Sequence, residues 1–563
     1  LDNTGGAIRT NSADLALAPA TLINDHGTIT VAGTGVLSVA TGALSNQGGL
    51  IATNGTLKLQ ATDVANQGGT LSGTQQVNVA TSTLENGQQG TIESAAVSIA
   101  AQGAVDNTGG TVNASGALDV SAASLVNTGG TIQSSGAAPV TVSTTGRLTN
   151  GAGGFIGANG NVTVSAGQLS NAGRLASQRD LLVNVGQTLD DNGGAILANG
   201  NATVKAGSLS NAGGTIAAGQ KTSVTAATLD NSAGTLTGNQ LALAAANLFN
   251  RSGTITQAGT GPITIGVSGT LDNTGGALRT NSADLTLAPA TLINDHGTIT
   301  DSGTGTLSVT TGNLSNNGGM IATNGALDVQ AGAVSNQGGK LSAQSQATLN
   351  VASLDNGAGG FVGAQSVGIT DQGVLNNAGG TVAASGALTV SAGAITNAGG
   401  AIKNAGTQAT SVSASQALDN TQGGLIGGNG EVSVSGGSVD NSGGTVVAGG
   451  NAVLQSGSIL RNVAGRVQAK GSAAVTAAGA ITNTGGQIEA DGAAATLQVT
   501  GASLDNTNGR IANAGSGATT VGAASITNAN TGGVGGAGTI GGNGDVTVSG
   551  QTLSNTQGGQ IVA

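Results

Sequence analysis

The sequence predicts an all-β fold, a parallel β-helix (β-solenoid) of about 27 rungs with about 21 residues in each. Three observations carry that prediction. An aliphatic-x-Asn element returns at a near-constant interval from Leu1-Asp2-Asn3 to Leu553-Ser554-Asn555. Between its occurrences, short stretches alternate apolar and polar residues strictly, as in Thr56-Leu57-Lys58-Leu59-Gln60 and Asn161-Val162-Thr163-Val164-Ser165. Finally, 563 residues with 103 Gly, 3 Phe, no Trp and no Tyr lack the bulky side chains that several globular cores would need.

Within one repeat, each piece has its own physical reason. The Asn is followed in most repeats by a Gly-Gly pair and a short apolar piece, as in Asn107-Thr108-Gly109-Gly110-Thr111-Val112. The Gly pair marks a turn, where glycine supplies positive φ and close backbone approach. A helix is excluded because such pairs recur too often. The alternating piece that follows, for example Ala117-Leu118-Asp119-Val120-Ser121, has the period of a strand with one buried face. About three short strands in 21 residues cannot bury their own apolar face, so successive repeats must stack. Stacking places equivalent residues about 4.8 Å apart, with Leu on Leu, Val on Val and Asn on Asn. The Asn column is therefore read as an internal amide ladder that satisfies turn backbone groups, since Asn both donates and accepts. Asn192 is the one member whose aliphatic residue stands three places before it.

Variants support the turn reading. In Asn24-Asp25-His26-Gly27 and Asn294-Asp295-His296-Gly297, His stands at the first Gly position, and His is among the non-Gly residues enriched at positive φ. Single-residue expansions follow Asn150, Asn356 and Asn420, and Thr531 to Gly538 reads as an insertion at a surface turn. Pro139 and Pro262 are placed to open strands.

A longer copy overlies the short one. Leu1 to Thr30 matches Leu271 to Thr300 at all but two positions, Ile8/Leu278 and Ala16/Thr286. Asn3 through Asn192 recur at Asn273 through Asn462 with the same spacing, a 270-residue offset of 13 rungs. The expected organisation is a single continuous shaft over 1–563, with 1–270 and 271–540 as approximate duplicates. Both ends stop in mid-pattern, so the shaft is expected to be part of a longer chain.

Composition excludes several functions. With 15 Lys and Arg scattered over the chain and a net charge of −11, no phosphate-neutralising stripe forms, so no nucleic-acid partner is expected. Disorder conflicts with the abundance of Val, Leu, Ile and Thr. No apolar run is long enough for a transmembrane segment, and the residues from Leu1 onward form no charged n-region or signal peptide, so any targeting signal is expected to lie outside this sequence. With no Cys, thiolate metal sites are absent.

Candidate chemistry is sparse. Asp25 with His26 lacks a further ligand or nucleophile. Carboxylates commonly fill the slot between the aliphatic residue and Asn, namely Asp2, Glu85, Asp106, Asp230, Asp272, Asp355, Asp419, Asp440 and Asp505. Two pairs there, Glu85 with Asp106 and Asp419 with Asp440, fall in adjacent rungs, where solvated surface charge is the simpler reading than a cation site or acid/base couple. Thr70, Thr91, Thr111 and Thr131 form a short outward column of the sort ice-binding solenoids present, which Phe155, Arg174, Lys340 and Phe361 interrupt. Arg174, Arg179 and Asp180 are the densest group a polysaccharide-acting enzyme could use. No catalytic, cofactor or metal residues are assigned, no cofactor is expected, and the chain is read as no enzyme. Phe155 and Phe361 are the candidates for an exposed contact surface.

The pattern Leu-Asp-Asn-Thr-Gly-Gly-Ala-Ile, followed by a variable stretch and x-Leu-x-Val-x, resembles the haemagglutinin-type repeats of two-partner-secretion exoproteins, the filamentous haemagglutinin and contact-dependent growth inhibition toxin family. The resemblance runs along essentially the whole chain. It implies a right-handed β-helical shaft, secreted to a Gram-negative cell surface through an outer-membrane β-barrel transporter. The expected function is a rigid extracellular stalk, roughly 130 Å long at about 4.8 Å per rung, that projects a distal adhesive or toxic module. Alternatives are a lateral surface that itself binds a receptor or glycan and, more remotely, a polysaccharide-acting enzyme on a β-helix.

Overall fold

A computed structural model describes residues 1–563. All its regular structure is strand, and the chain divides into two compact units, Leu1–Ser282 and Ala283–Ala563. Within each unit the strands pair in parallel with their equivalents about one repeat later. The parallel solenoid expected from the repeat is the observed fold.

In the first unit a representative rung runs Thr111–Ala114, Leu118–Ala122 and Ser124–Val126. The register stacks like on like. Ile29 pairs with Ile51, Leu37 with Leu57, and the four threonines Thr70, Thr91, Thr111 and Thr131 follow one another in register. The alternate residues turn inward, so the strand at Val140–Thr144 buries Val140, Val142 and Thr144 and leaves Thr141 and Ser143 half-buried. Pro139 stands directly before that strand, where its missing N–H breaks no ladder bond.

The second unit repeats the plan with more continuous strands. In rungs such as Leu388–Thr396 and Thr410–Asp419 the second and third strands fuse, because an irregularity between Ala392 and Ile395 or between Ala414 and Ala417 replaces a turn. Small residues at these points let the strand bend without leaving the ladder. One interior column of this unit runs unbroken from Ile321 through Leu341, Val362, Val382, Ile402, Ile426, Val446, Val467, Ile488 and Ile511 to Ile540. All are fully buried, each contributing about 1.5–3 kcal/mol of transfer free energy. A column of aliphatic side chains fills a coil this narrow, and so aromatic residues are dispensable.

A second set of interior polar residues had no counterpart in the sequence reading. Gln257, Asn404 and Asn513 end the first strand of their rungs and turn their amides inward to the carbonyls of the following corner loop, Gly261, Gln408 and Gly517 respectively. Ala occupies the same column at Ala114 and Ala448, where the loop is shorter.

Candidate functional site: the buried asparagine ladder

The repeated Asn residues turn inward and stack as a ladder. In the first unit Asn86 Nδ2 donates to Asn107 Oδ1 at 2.8 Å, and Asn107 Nδ2 donates to Asn127 Oδ1 at 2.7 Å. In the second unit Asn316 donates to Asn336 at 2.7 Å, and Asn336 to Asn356 at 2.7 Å. The other amide proton points to carbonyls, for Asn107 those of Gly110 in its own turn at 3.2 Å and Thr131 in the next rung at 3.3 Å. The Asn carbonyl closes the turn by accepting from Gly110 N–H at 3.0 Å. Each buried amide thus ties its own turn, the next turn and the next strand, which is what a buried polar group requires.

The two glycines of the pair have different jobs. The first carries the positive φ, +65° at Gly109 and +62° at Gly129, with open space where a Cβ would go. Other residues adopt that φ at cost, among them His26 at 53°, Ser252 at 53°, Ala464 at 51° and His296 at 54°. The second glycine packs beneath the ladder. A Cβ on Gly130 would lie 2.1 Å from the Asn107 carbonyl oxygen and 2.6 Å from Asn127 Oδ1. Expanded turns insert a residue between Asn and this second glycine, at Asn150, Asn356 and Asn420 as expected, and also at Asn86, where Gln88 and Gln89 both take positive φ.

The carboxylates of the outward slot cap these turns. Asp106 Oδ1 accepts from Thr108 N–H at 2.8 Å, Asp419 from Thr421 at 2.9 Å, and Asp440 from Ser442 at 2.9 Å. Glu85 and Asp106 do align across adjacent rungs, as do Asp419 and Asp440, but each aspartate among them holds its own turn. Asp25 and Asp295, one place later, reach the next rung instead, where Asp25 accepts from Ser45 Oγ and Gln47 N–H. His26 lies over Gly48 of that rung.

One ladder position corrects the sequence reading. Asn192 is exposed, and Asp191 is the buried member, accepting from Asn171 Nδ2 at 2.5 Å. The cause is a shortened turn. Asn171-Ala172-Gly173-Arg174 has one residue fewer than the equivalent Asn441-Ser442-Gly443-Gly444-Thr445, so the next rung shifts by one and Leu189-Asp190-Asp191 restores the aliphatic-x-ladder spacing. The 270-residue offset between Asn192 and Asn462 is therefore a coincidence of number, and the ladder equivalent of Asn462 is Asp191.

The remaining candidates are dispersed into local contacts. Phe155 and Phe361 are half-buried, each ring lying on a glycine two residues on, Gly157 and Gly363, with Arg174 and Lys340 about 6 Å above the ring centres. They cover backbone that has no side chain of its own. Asp180 accepts from Asn201 N–H at 2.8 Å and is not joined to Arg174, which lies over Phe155, or to a charge pair with Arg179. The sequence reading missed a tighter group. Asp272 is buried, accepts from Thr274 N–H and Oγ1, and pairs with Arg251 Nε at 2.7 Å, while Arg251 lies 4.8 Å over Phe249. Burial pushes the Asp272 carboxyl up, but the Thr274 bonds and Arg251 together hold it below the usual carboxylate range. Only the in-register pairing of Phe249 with Asp272 brings these residues together, since they lie in separate repeats.

A parallel solenoid whose interior carries a stacked amide ladder, and whose outer aspartates hold its own turns, is a structural repeat protein. The haemagglutinin repeat family matches residues 1–48, 30–109, 105–152, 254–318, 322–379, 370–422, 415–485 and 516–563, and the chain belongs to that family. It is also 46% identical over 69 residues to a protein named tRNA nuclease CdiA-2 from Burkholderia pseudomallei (strain 1026b). That match takes in 12% of this chain and 2% of the relative, so the chain covers a small part of the relative's length. No solved structure matches the chain.

Proposed function

We propose that the chain is shaft material of a large secreted or cell-surface exoprotein, a rigid stalk that sets the distance between a cell and a distal adhesive or toxic module. The observation that carries this reading is the ladder itself. The same side-chain bonds recur rung after rung at 2.6–2.8 Å, while the outward positions change freely. An interior that changes little from rung to rung beneath a more varied exterior is what a requirement for length and stiffness favours. Membership of the haemagglutinin repeat family supports export through an outer-membrane β-barrel partner, and the likeness to a protein named a tRNA nuclease supports a carrier role. The reading is tested by deleting residues 21–290 from the parent protein, which splices two near-identical sequences, and measuring attachment or delivery between cells. A stalk gives retained binding with shortened reach. Abolished binding of an otherwise secreted, folded protein would instead assign receptor or glycan recognition to the lateral surface.

A further inference from the structure

The substitution of acid for amide in the ladder leaves two buried oxygens without a hydrogen-bond partner, one on Asp191 and one on the next ladder residue, Asn211. Asn211 shows what this position ordinarily does, its Nδ2 donating to Asn231 Oδ1 at 2.6 Å and to the carbonyls of Gly214 and Thr235 at 3.3 Å. Asp191 presents Oδ2 where its neighbours present Nδ2. The acceptor that the ladder brings to it is Asn211 Oδ1. Both Asp191 Oδ2 and Asn211 Oδ1 are buried, and neither has a hydrogen-bond partner. Two successive buried acceptors of a ladder are repulsive and unsatisfied. One proton cures both faults, because a protonated carboxyl is a donor.

We propose that Asp191 is held as a neutral acid, protonated on Oδ2, and that this O–H donates to Asn211 Oδ1, making the rung a proton-operated joint in the first unit. The surroundings agree. Burial raises the carboxyl to about 8, the bond from Asn171 works against that rise, and the charge of Asp190 adds to it. The residues stacked on it from the flanking rungs, Ser170 to Ala172 and Ser210 to Ala212, carry no charge, and Arg174 of the preceding rung projects over the Phe155 ring. The copied block provides the control, for Asn462 donates to Asn483 at 2.7 Å in the ordinary way.

The folded rung keeps a proton that the unfolded chain releases near its ordinary value of 3.8, so unfolding releases a proton between about pH 4 and pH 8. Stability of the rung therefore falls as pH rises through that window and levels off above it. In the ionised form the proton has gone to solvent, and the rung holds a carboxylate against an amide oxygen.

The test compares wild type, Asp191→Asn and Asn462→Asp in the full chain, by hydrogen-exchange protection factors of the flanking rungs from about pH 5.5 to about pH 9 and by infrared spectroscopy of the carboxyl carbonyl. Protection over residues 188–211 is expected to drop by about tenfold or more in wild type, to stay level in Asp191→Asn, and to drop over the Asn462 rung in Asn462→Asp. A protonated-carboxyl band at about pH 6 is expected to vanish in Asp191→Asn, a readout that stands even where Asn462→Asp does not fold. A band and a pH profile unchanged by Asp191→Asn overturn the proposal. So does protection that follows sodium or calcium concentration at fixed pH, which assigns the gap to a bound cation.

Discussion

A ladder asparagine has bonds on both sides, so its removal costs more than its own contacts. Asn107→Ala strips the acceptor from Asn86 Nδ2 and the donor from Asn127 Oδ1, both buried. Unpaired buried polar groups cost about 1–3 kcal/mol each, so we expect local destabilisation of about 3 kcal/mol or more, read as lost exchange protection in the rungs at Asn86 and Asn127. The glycine pair separates by the same logic. Gly130→Ala forces a methyl into the Asn107 carbonyl and is expected to cost more than about 3 kcal/mol, the upper part of the overpacking range. Gly129→Asn keeps the backbone, fills open space, and is expected to cost less than about 1 kcal/mol in urea denaturation, because Asn tolerates positive φ. Equal costs for the two would refute the division of roles. Acid behaviour is set elsewhere. Because the Asp272 carboxyl is held below 3.8, its contribution is present above about pH 4 and is lost as pH falls further. Asp272→Asn should thus show a shallower loss of stability between about pH 5 and pH 2.5 than wild type.

Elements were legible in proportion to how local their cause is. The alternation in Val140–Thr144 and the interval between ladder residues are written in single repeats, and both the strands and their parallel register follow from them. The Asp191 rung was misread because its cause lies in another repeat. A residue missing after Asn171 shifts the frame, and Asn192 offers a false match one place on. The glycine roles are likewise invisible in the letters Gly-Gly, since only the stacked carbonyl of the previous rung distinguishes them. The Gly-Ala-Gly-Gly turn that marks Phe155 as a candidate contact residue does not reveal that its ring lies down on Gly157, which leaves bare backbone beside it. This pairing predicts that Gly157→Ala, whose Cβ would lie 2.3 Å from the ring, lifts Phe155 off the strand. The expected result is increased dye binding by the exposed ring with little loss of stability, and no dye binding in the double variant with Phe155→Ala.

At the scale of the molecule, stability is a sum of rung terms and neighbour terms, so what matters about a deletion is its phase, not its size. The 270-residue offset makes this testable with unusual cleanliness. Deleting residues 21–290 joins Ala20 to Thr291, and the sequence across the junction reads as it did before, Ala-Pro-Ala-Thr-Leu-Ile-Asn. Asn3 then finds Asn294 where Asn24 had been, with the same Asp-His-Gly turn behind it. Deleting residues 21–280 removes ten fewer residues but inserts half a rung, so the strand that carries the ladder meets one that does not. The in-phase deletion is expected to keep a native-like β spectrum per residue and protease resistance across the junction. The out-of-phase deletion, though it is smaller, is expected to be cleaved there, because a slipped rung carries unpaired edge strands on both sides. Equal protease resistance of the two would mean that the rungs fold without templating one another, and the neighbour terms would lose their place in the account.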